Sequence, residues 1–81
     1  KEVFNLNIEE AYQAMLQGNQ VAHESYDKDE FNWMERNQIH DENGYYWGLK
    51  GDEPWNMRVE NDWFKEGWII CNDRKKRKKY N

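Results

Sequence analysis

The residue types that usually carry catalysis are sparse and isolated in this 81-residue chain. His23 and His40 have no second histidine or cysteine at a metal-ligand spacing, and the single cysteine, Cys71, lies in an apolar run. A thiol in such a run is typical of a buried, unreactive side chain. The acidic residues fall mainly in turn-like segments, and the chain has no glycine-rich phosphate loop. We therefore predict that the protein is not an enzyme and needs no metal or cofactor.

Aromatic side chains are in surplus, with five Trp, five Tyr and three Phe. Five of these rings stand beside polar or turn residues rather than inside apolar runs: Trp33, Tyr45, Trp47, Trp55 and Trp63. Exposed rings stack on nucleobases, at about 1–3 kcal/mol per base. The alternative is that most of the rings form the core or a subunit contact. Both interpretations hold together if a binding site lies between subunits.

Two arginines, Arg36 and Arg58, are the natural phosphate partners for such a site, because a guanidinium can pair with two oxygens at once. The alternative for each is an exposed arginine near acidic neighbours. The rings and arginines together predict a binding site rather than a catalytic one.

Charge divides the chain into two parts. Residues 1–72 carry six Lys or Arg against fifteen Asp or Glu, a net charge of −9, and residues 73–81 carry six basic residues against one acid, a net charge of +5. We predict a single domain over 1–72 and a mobile basic tail over 73–81. The tail has two other interpretations, a non-specific contact with RNA or DNA through residues 74–79 and a fold back onto its own or a partner's body. The acidic body argues against a duplex binder.

One helix is predicted near the start of the chain. Asn7 is a good N-cap, Glu9 and Glu10 place negative charge in the first turn, and Gly18 can adopt the left-handed conformation that ends a helix. A single apolar stripe follows the helical repeat through Ile8, Ala11, Tyr12, Met15 and Leu16. No other segment gives a convincing helical pattern.

Short strands and turns are predicted for the rest of the chain. Arg36-Asn37 reads as a tight turn, and Asn43-Gly44 is a strong hairpin signal. The predicted strands are 20–26, 30–35, 38–40, 45–49 and an apolar, central 67–71, with 55–59 a strand or extended loop and 60–66 a helical turn. The expected fold is therefore α+β, one N-terminal helix packed on a small antiparallel sheet of four to six short strands.

The ends of the chain resemble a family of small phage proteins, the Thoeris anti-defence sponge family. The resemblance covers residues 4–71 in patches and rests on 8–11, Gly18, 21–23 and Tyr26, the hairpin 41–44, and Trp55 with 62–70. The sequence departs from the family pattern at His23, where arginine is usual, and at Tyr26, where tryptophan is usual. Two further departures are Trp63-Phe64 in place of two leucines and Gly67 in place of an aspartate.

The resemblance implies a protein that binds the cyclic ADP-ribose signal of bacterial TIR proteins or another cyclic nucleotide. It implies that Tyr26 stacks on a base or ribose with His23 beside it, that the protein forms a dimer or tetramer, and that it acts in the host cytoplasm. One cysteine fits an intracellular protein, and no run approaches the ~20 apolar residues of a membrane span. The complete set of expected ligand-binding residues is His23, Tyr26, Trp33, Arg36, Trp47, Trp55 and Arg58.

Two functions follow as hypotheses. The first is a non-catalytic phage protein that sequesters a cyclic nucleotide immune signal. The second is an acidic inhibitor that binds a host defence or nucleic-acid enzyme, such as an anti-CRISPR or host-takeover factor, by imitating phosphate charge.

Overall fold

The computed structural model describes residues 2–48 and 53–75. These residues form one antiparallel sheet, with strands in the order β4-β3-β2-β1-β5, together with helical segments. Along the chain the elements are α1 (Ile8–Leu16), β1 (Val21–His23), β2 (Asn32–Glu35), β3 (Gln38–Asp41), β4 (Tyr46–Gly48), α2 (Glu53–Glu60), a 3-10 helix (Asp62–Phe64) and β5 (Trp68–Ile70). The predicted α+β class and the number of strands are confirmed.

Helix α1 begins and ends where the local sequence predicts. The Asn7 side chain accepts a hydrogen bond from the Glu10 amide at 2.8 Å, and the Glu10 carboxylate accepts one from the Asn7 amide at 2.9 Å. This reciprocal pair satisfies two amides that the first helical turn leaves without partners. After the helix, Gly18 has a φ of +94°. The stripe then buries Ala11 and Met15 against the sheet.

The second helix, α2, corrects the prediction of a strand or loop over 55–59. Proline at the start of the segment is compatible with a first helical turn, because it lacks only an amide that would have no partner inside the helix. Trp55 is fully buried and Val59 packs beside it in the same core cluster. Burial of this one large ring stabilises a short helix that its own sequence pattern supports weakly.

Strand β5 corrects a second prediction, that it would be central. It pairs with β1 on one side, and on the other side the described chain supplies a single bridge, Leu6 to Trp68. Strand β1 is also shorter than the predicted 20–26, because a turn with a hydrogen bond from the Tyr26 amide to the His23 carbonyl ends it.

Both predicted tight turns are present. Arg36 and Asn37 have φ values of 55° and 63°, the left-handed pair that a two-residue hairpin between β2 and β3 requires. In the next hairpin Gly44 has a φ of 82°, and its amide donates to the Asp41 carbonyl. The predicted strand 45–49 is observed as Tyr46–Gly48, and its end at Leu49 lies outside the described residues.

The two faces of the sheet differ in what covers them. On the helix-covered face, α1, α2 and the 3-10 helix all contribute to one core cluster that includes Val21, Ile39 and Trp68. On the opposite side, called the open face here, the cluster consists of Ala22, Phe31 and Cys71 with Tyr26, Trp33 and Ile69 packed against it, and no described helix contributes. No helix in the described ranges is long and apolar enough to cross a membrane.

Candidate functional site

An arginine surrounded by aromatic rings is the most unusual feature of the helix-covered face. The guanidinium carbon of Arg58 lies 4.2 Å from the ring centre of Phe64, 4.7 Å from that of Trp47 and 5.7 Å from that of Tyr26. All four side chains are partly exposed. We call these residues the Arg58 cluster. A cation over aromatic faces is stabilised by about 0.5–2 kcal/mol per contact.

Helix α2 positions the arginine. Arg58 lies in the last turn of α2, where the helix dipole favours a positive charge. Trp55, one turn earlier on the same face, is anchored in the core against Trp68, with ring centres 5.5 Å apart. The buried tryptophan therefore fixes the helix orientation that directs Arg58 toward the rings.

Tyr26 is held by its hydroxyl. That hydroxyl donates to the Asn32 side-chain oxygen at 2.6 Å and accepts a long hydrogen bond, 3.4 Å, from Arg58 Nε. Burial raises the pKa of Tyr26 to about 12, an effect that the positive charge of Arg58 partly offsets. The phenol therefore stays neutral across the physiological range and acts as a hydrogen-bonding spacer between the sheet and Arg58.

Trp47 is positioned by the second hairpin. Its indole nitrogen donates to Asp41 Oδ2 at 3.1 Å, while Asp41 Oδ1 accepts from the amides of Asn43 and Tyr45. One carboxylate therefore fixes both the turn and the ring.

His23 lies beneath the cluster and is almost fully buried. Its Nδ1 accepts from the Ser25 amide at 3.0 Å, so Nε2 carries the hydrogen and donates to the Glu66 carbonyl at 2.8 Å. The imidazole packs at 4.7 Å from Phe64 and 5.3 Å from Trp68. In this arrangement His23 supports the rings above it, as Trp55 does, and neither side chain presents surface to a ligand.

Two of the expected site residues lie elsewhere. Trp33 is on the open face, where its ring stacks on His40 at 4.8 Å and its indole nitrogen donates to the Asp41 carbonyl at 2.9 Å. Arg36 is exposed in the turn between β2 and β3. The structure thus brings together His23, Tyr26, Trp47, Trp55 and Arg58, and leaves Trp33 and Arg36 outside that group.

Phe64 and Asn32 belong to the site but were missing from the sequence-based set. Phe64 was predicted only as part of a helical turn, and its contact with Arg58 depends on how α2 and the 3-10 helix pack. Asn32 is fully buried, with its amide nitrogen donating to the His40 carbonyl at 3.2 Å. The one feature of the sequence that could have indicated Asn32 is that it is a polar residue inside a predicted strand.

The described residues contain no group of three or more His, Cys, Asp or Glu side chains that could hold a metal ion. No model of a protein family matches the chain, and neither curated proteins nor solved structures yield a similar chain. The resemblance to the Thoeris anti-defence family therefore stays a prediction that rests on the sequence motifs.

Proposed function

We propose that this chain is a non-catalytic phage anti-defence protein that sequesters a cyclic nucleotide of the cyclic ADP-ribose type at the Arg58 cluster. The observation that carries the proposal is a guanidinium placed over three partly exposed rings. A guanidinium can donate two parallel hydrogen bonds to a phosphate, and neighbouring rings offer stacking surfaces for a base. Sequestration breaks no bond, so the site needs affinity alone.

Charge sets a condition on this proposal. The −9 body repels an anionic ligand except where a local cation compensates. Arg58 provides that cation within the site. Arg74 is already engaged, because its Nη1 donates to the carbonyls of Asp27 and Glu30 at 3.2 and 2.6 Å. If more distant basic charge also contributes, deleting residues 75–81 will weaken ligand binding while leaving these Arg74 contacts in place.

A thermal-shift scan against cyclic ADP-ribose isomers, cyclic dinucleotides and linear ADP-ribose tests the function. A ligand at 100 times its dissociation constant stabilises the folded state by about 2.7 kcal/mol, which is several degrees for a domain of this size. We expect a selective shift with one cyclic class. A folded protein with no shift across the panel would contradict the proposal.

The acidic inhibitor is the second candidate function. It is favoured by the exposed carboxylates of Glu9 and Glu10 on α1 and by the excess of acid over the whole body. An acidic surface can occupy a basic nucleic-acid channel, with association that weakens as salt rises. Salt-sensitive co-purification of a basic host enzyme, without retention of any nucleotide, would favour this function over sequestration.

A further inference from the structure

Arg58 is a partly buried cation without an anionic partner in a chain that is rich in acids. Residues 1–72 contain fifteen Asp or Glu, yet no hydrogen bond or ion pair within the described ranges engages Arg58 Nη1 or Nη2. By contrast, Lys65 pairs with Asp62 at 3.6 Å, and Arg74 donates to two backbone carbonyls. Removing a charge from water without pairing it costs free energy, so these two nitrogens are donors that an anionic ligand would satisfy.

The surroundings of the guanidinium determine which of its edges an anion can reach. Its carbon lies over the rings of Phe64 and Trp47, 4.2 and 4.7 Å from their centres. Its Nε donates to the Tyr26 hydroxyl at 3.4 Å. A guanidinium offers paired donors to an anion either along its Nε side or at its Nη1–Nη2 end. Because Nε is engaged by Tyr26, the remaining pair of donors is the Nη1–Nη2 end.

The Tyr26 hydroxyl is itself fixed in place by Asn32. It donates to Asn32 Oδ1 at 2.6 Å, and the amide nitrogen of Asn32 donates to the His40 carbonyl at 3.2 Å. Asn32 has no exposed surface. A continuous chain of hydrogen bonds therefore runs from β3 through Asn32 and Tyr26 to Arg58.

The charges around the cluster favour one bound phosphate rather than two. Arg58 is the only cation that the described residues place over these rings. Burial has the largest effect on the pKa of Tyr26, and the charge of Arg58 lowers that pKa. The charges of Glu30 and Glu42 raise the same pKa. Two carboxylates thus act on the ring that Arg58 contacts, and a second phosphate would meet their repulsion without a second cation.

We propose that Arg58 binds one phosphoryl group end-on, through Nη1 and Nη2, with Tyr26 and Asn32 as the positioning residues that hold the guanidinium in this orientation. This inference rests on the proposed nucleotide site and narrows it, because only one of the two phosphates in a ligand of the cyclic ADP-ribose type is then paired with a cation. The two donors match two oxygens of a single phosphate. The base of the same ligand lies against the exposed ring surface beside the arginine.

Titration of the isotope-labelled full chain with inorganic phosphate tests this binding mode without a nucleotide. Chloride holds the ionic strength constant, and the side-chain nitrogen signals of Arg58 and Trp47 are followed. We expect saturable shifts of the Arg58 Nη signals and of the Trp47 indole, with a smaller shift of Arg58 Nε, because Nε stays with Tyr26. Pyrophosphate should bind no more than about twofold tighter than phosphate, because only one of its groups meets a cation.

A pair of arginine variants separates the paired donors from charge alone. Arg58→Lys keeps the positive charge but lacks the planar pair of donors. We expect it to weaken phosphate binding about tenfold, whereas Arg36→Lys, in the exposed turn between β2 and β3, should change binding little. Circular dichroism checks that both variants fold.

A tyrosine variant tests the positioning role. Tyr26→Phe keeps the ring but removes the hydroxyl that engages Arg58 Nε. We expect phosphate affinity to fall about threefold and the Nε signal to shift with phosphate, a change that a purely structural role of Tyr26 would not produce. Tyr46→Phe, on the open face, is the matched control and should leave both the affinity and the Nε signal unchanged.

Three results would overturn the proposal. One is a lack of saturable phosphate shifts at Arg58, or equal weakening by Arg58→Lys and Arg36→Lys. Another is a largest shift at Nε in the wild type, which would show a side-on contact. The third is pyrophosphate binding far tighter than phosphate, which would require a second cation at the site.

The proposed function fails on a different measurement. Phosphate shifts at Arg58 without a thermal shift from any nucleotide would contradict sequestration and support the anion site. A selective thermal shift from one nucleotide, without phosphate shifts at Arg58, would contradict the end-on contact alone.

Discussion

The two faces of the sheet use aromatic rings in different ways. On the helix-covered face, Trp55 and Trp68 have no exposed surface, and the rings above them surround a single arginine. On the open face, Trp33, His40 and Tyr46 form a row across three neighbouring strands, with ring centres 4.8 and 6.2 Å apart. Tyr46 is 54% exposed there.

The difference follows from what lies above each ring. Helices cover the helix-covered face, so its rings stabilise the core, and Arg58 is held partly away from solvent. The open-face rings contact one another across neighbouring strands, an arrangement that adds cross-strand stability, and no arginine in the described residues is found over them. We therefore propose the helix-covered face, rather than the open face, as the ligand-binding face.

Replacing one tryptophan on each face by alanine should give the largest difference in stability between the two faces. We expect Trp55→Ala to lower the free energy of unfolding by about 3–5 kcal/mol, because it removes a fully buried indole and releases α2. Trp33→Ala, on the open face, should lower it by about 1–2 kcal/mol. Chemical denaturation measures both values, and Trp55→Phe replaces the alanine variant if that variant does not fold. Equal losses on the two faces would remove the distinction between them.

Alkaline pH should destabilise the folded chain through Tyr26, which lies on the helix-covered face. Tyr26 has a pKa of about 12 in the folded chain against 10.0 as its ordinary value, mainly because of burial. Its stabilising effect is complete below pH 10, because the phenol is neutral in both states there. The effect is then lost as pH rises from about 10 to 12, since the unfolded chain ionises first. The expected loss is about 2–3 kcal/mol.

The pH dependence of denaturation in Tyr26→Phe provides the check. This variant should lose less stability between pH 10 and 12 than the wild type. Cys71 contributes a separate loss that begins at lower pH, because burial raises its pKa from 9.0 to about 11. Identical profiles for Tyr26→Phe and the wild type would show that Tyr26 is not held as described.

A smaller loss of stability is expected when the Arg74 side chain is removed. The Arg74 guanidinium donates to two carbonyls in the turn before Phe31. We expect Arg74→Ala to cost about 1 kcal/mol of stability, because these bonds are partly exposed, and Lys75→Ala, its exposed neighbour, to cost less. Thermal denaturation compares the two variants. An equal, negligible effect would favour the prediction that the basic tail is mobile from its first residue.

The elements that could be predicted are those that short-range chemistry determines. Asn7 and Glu10 form the cap of α1 within one turn, and Arg36-Asn37 and Asn43-Gly44 form turns within four residues. Helix α2 could not be predicted in this way, because its stability comes from burying Trp55 against a strand that follows later in the chain. The edge position of β5 likewise depends on strand pairing, which an apolar composition does not specify.

The candidate site, like the fold, could be predicted from the sequence only in part. Trp47 and Arg58 were predicted from residue type and Tyr26 from the family resemblance. The sequence could not say that the three side chains meet, since they come from three distant segments. Strand alternation separates Trp33 from Met34 and places them on opposite faces. Which face the helices cover, and therefore which rings surround an arginine, is decided by packing.

Calorimetric titration of Arg58→Met and Arg36→Met with the cyclic nucleotide that binds the wild type tests the account most directly. Each variant removes one positive charge. Arg58 lies within the Arg58 cluster, and Arg36 lies in the exposed turn between β2 and β3. We predict that Arg58→Met weakens binding at least about tenfold, the loss of one charge-assisted hydrogen bond, while Arg36→Met binds like the wild type. Binding that survives in Arg58→Met, or that Arg36→Met weakens equally, would contradict a ligand site at Arg58.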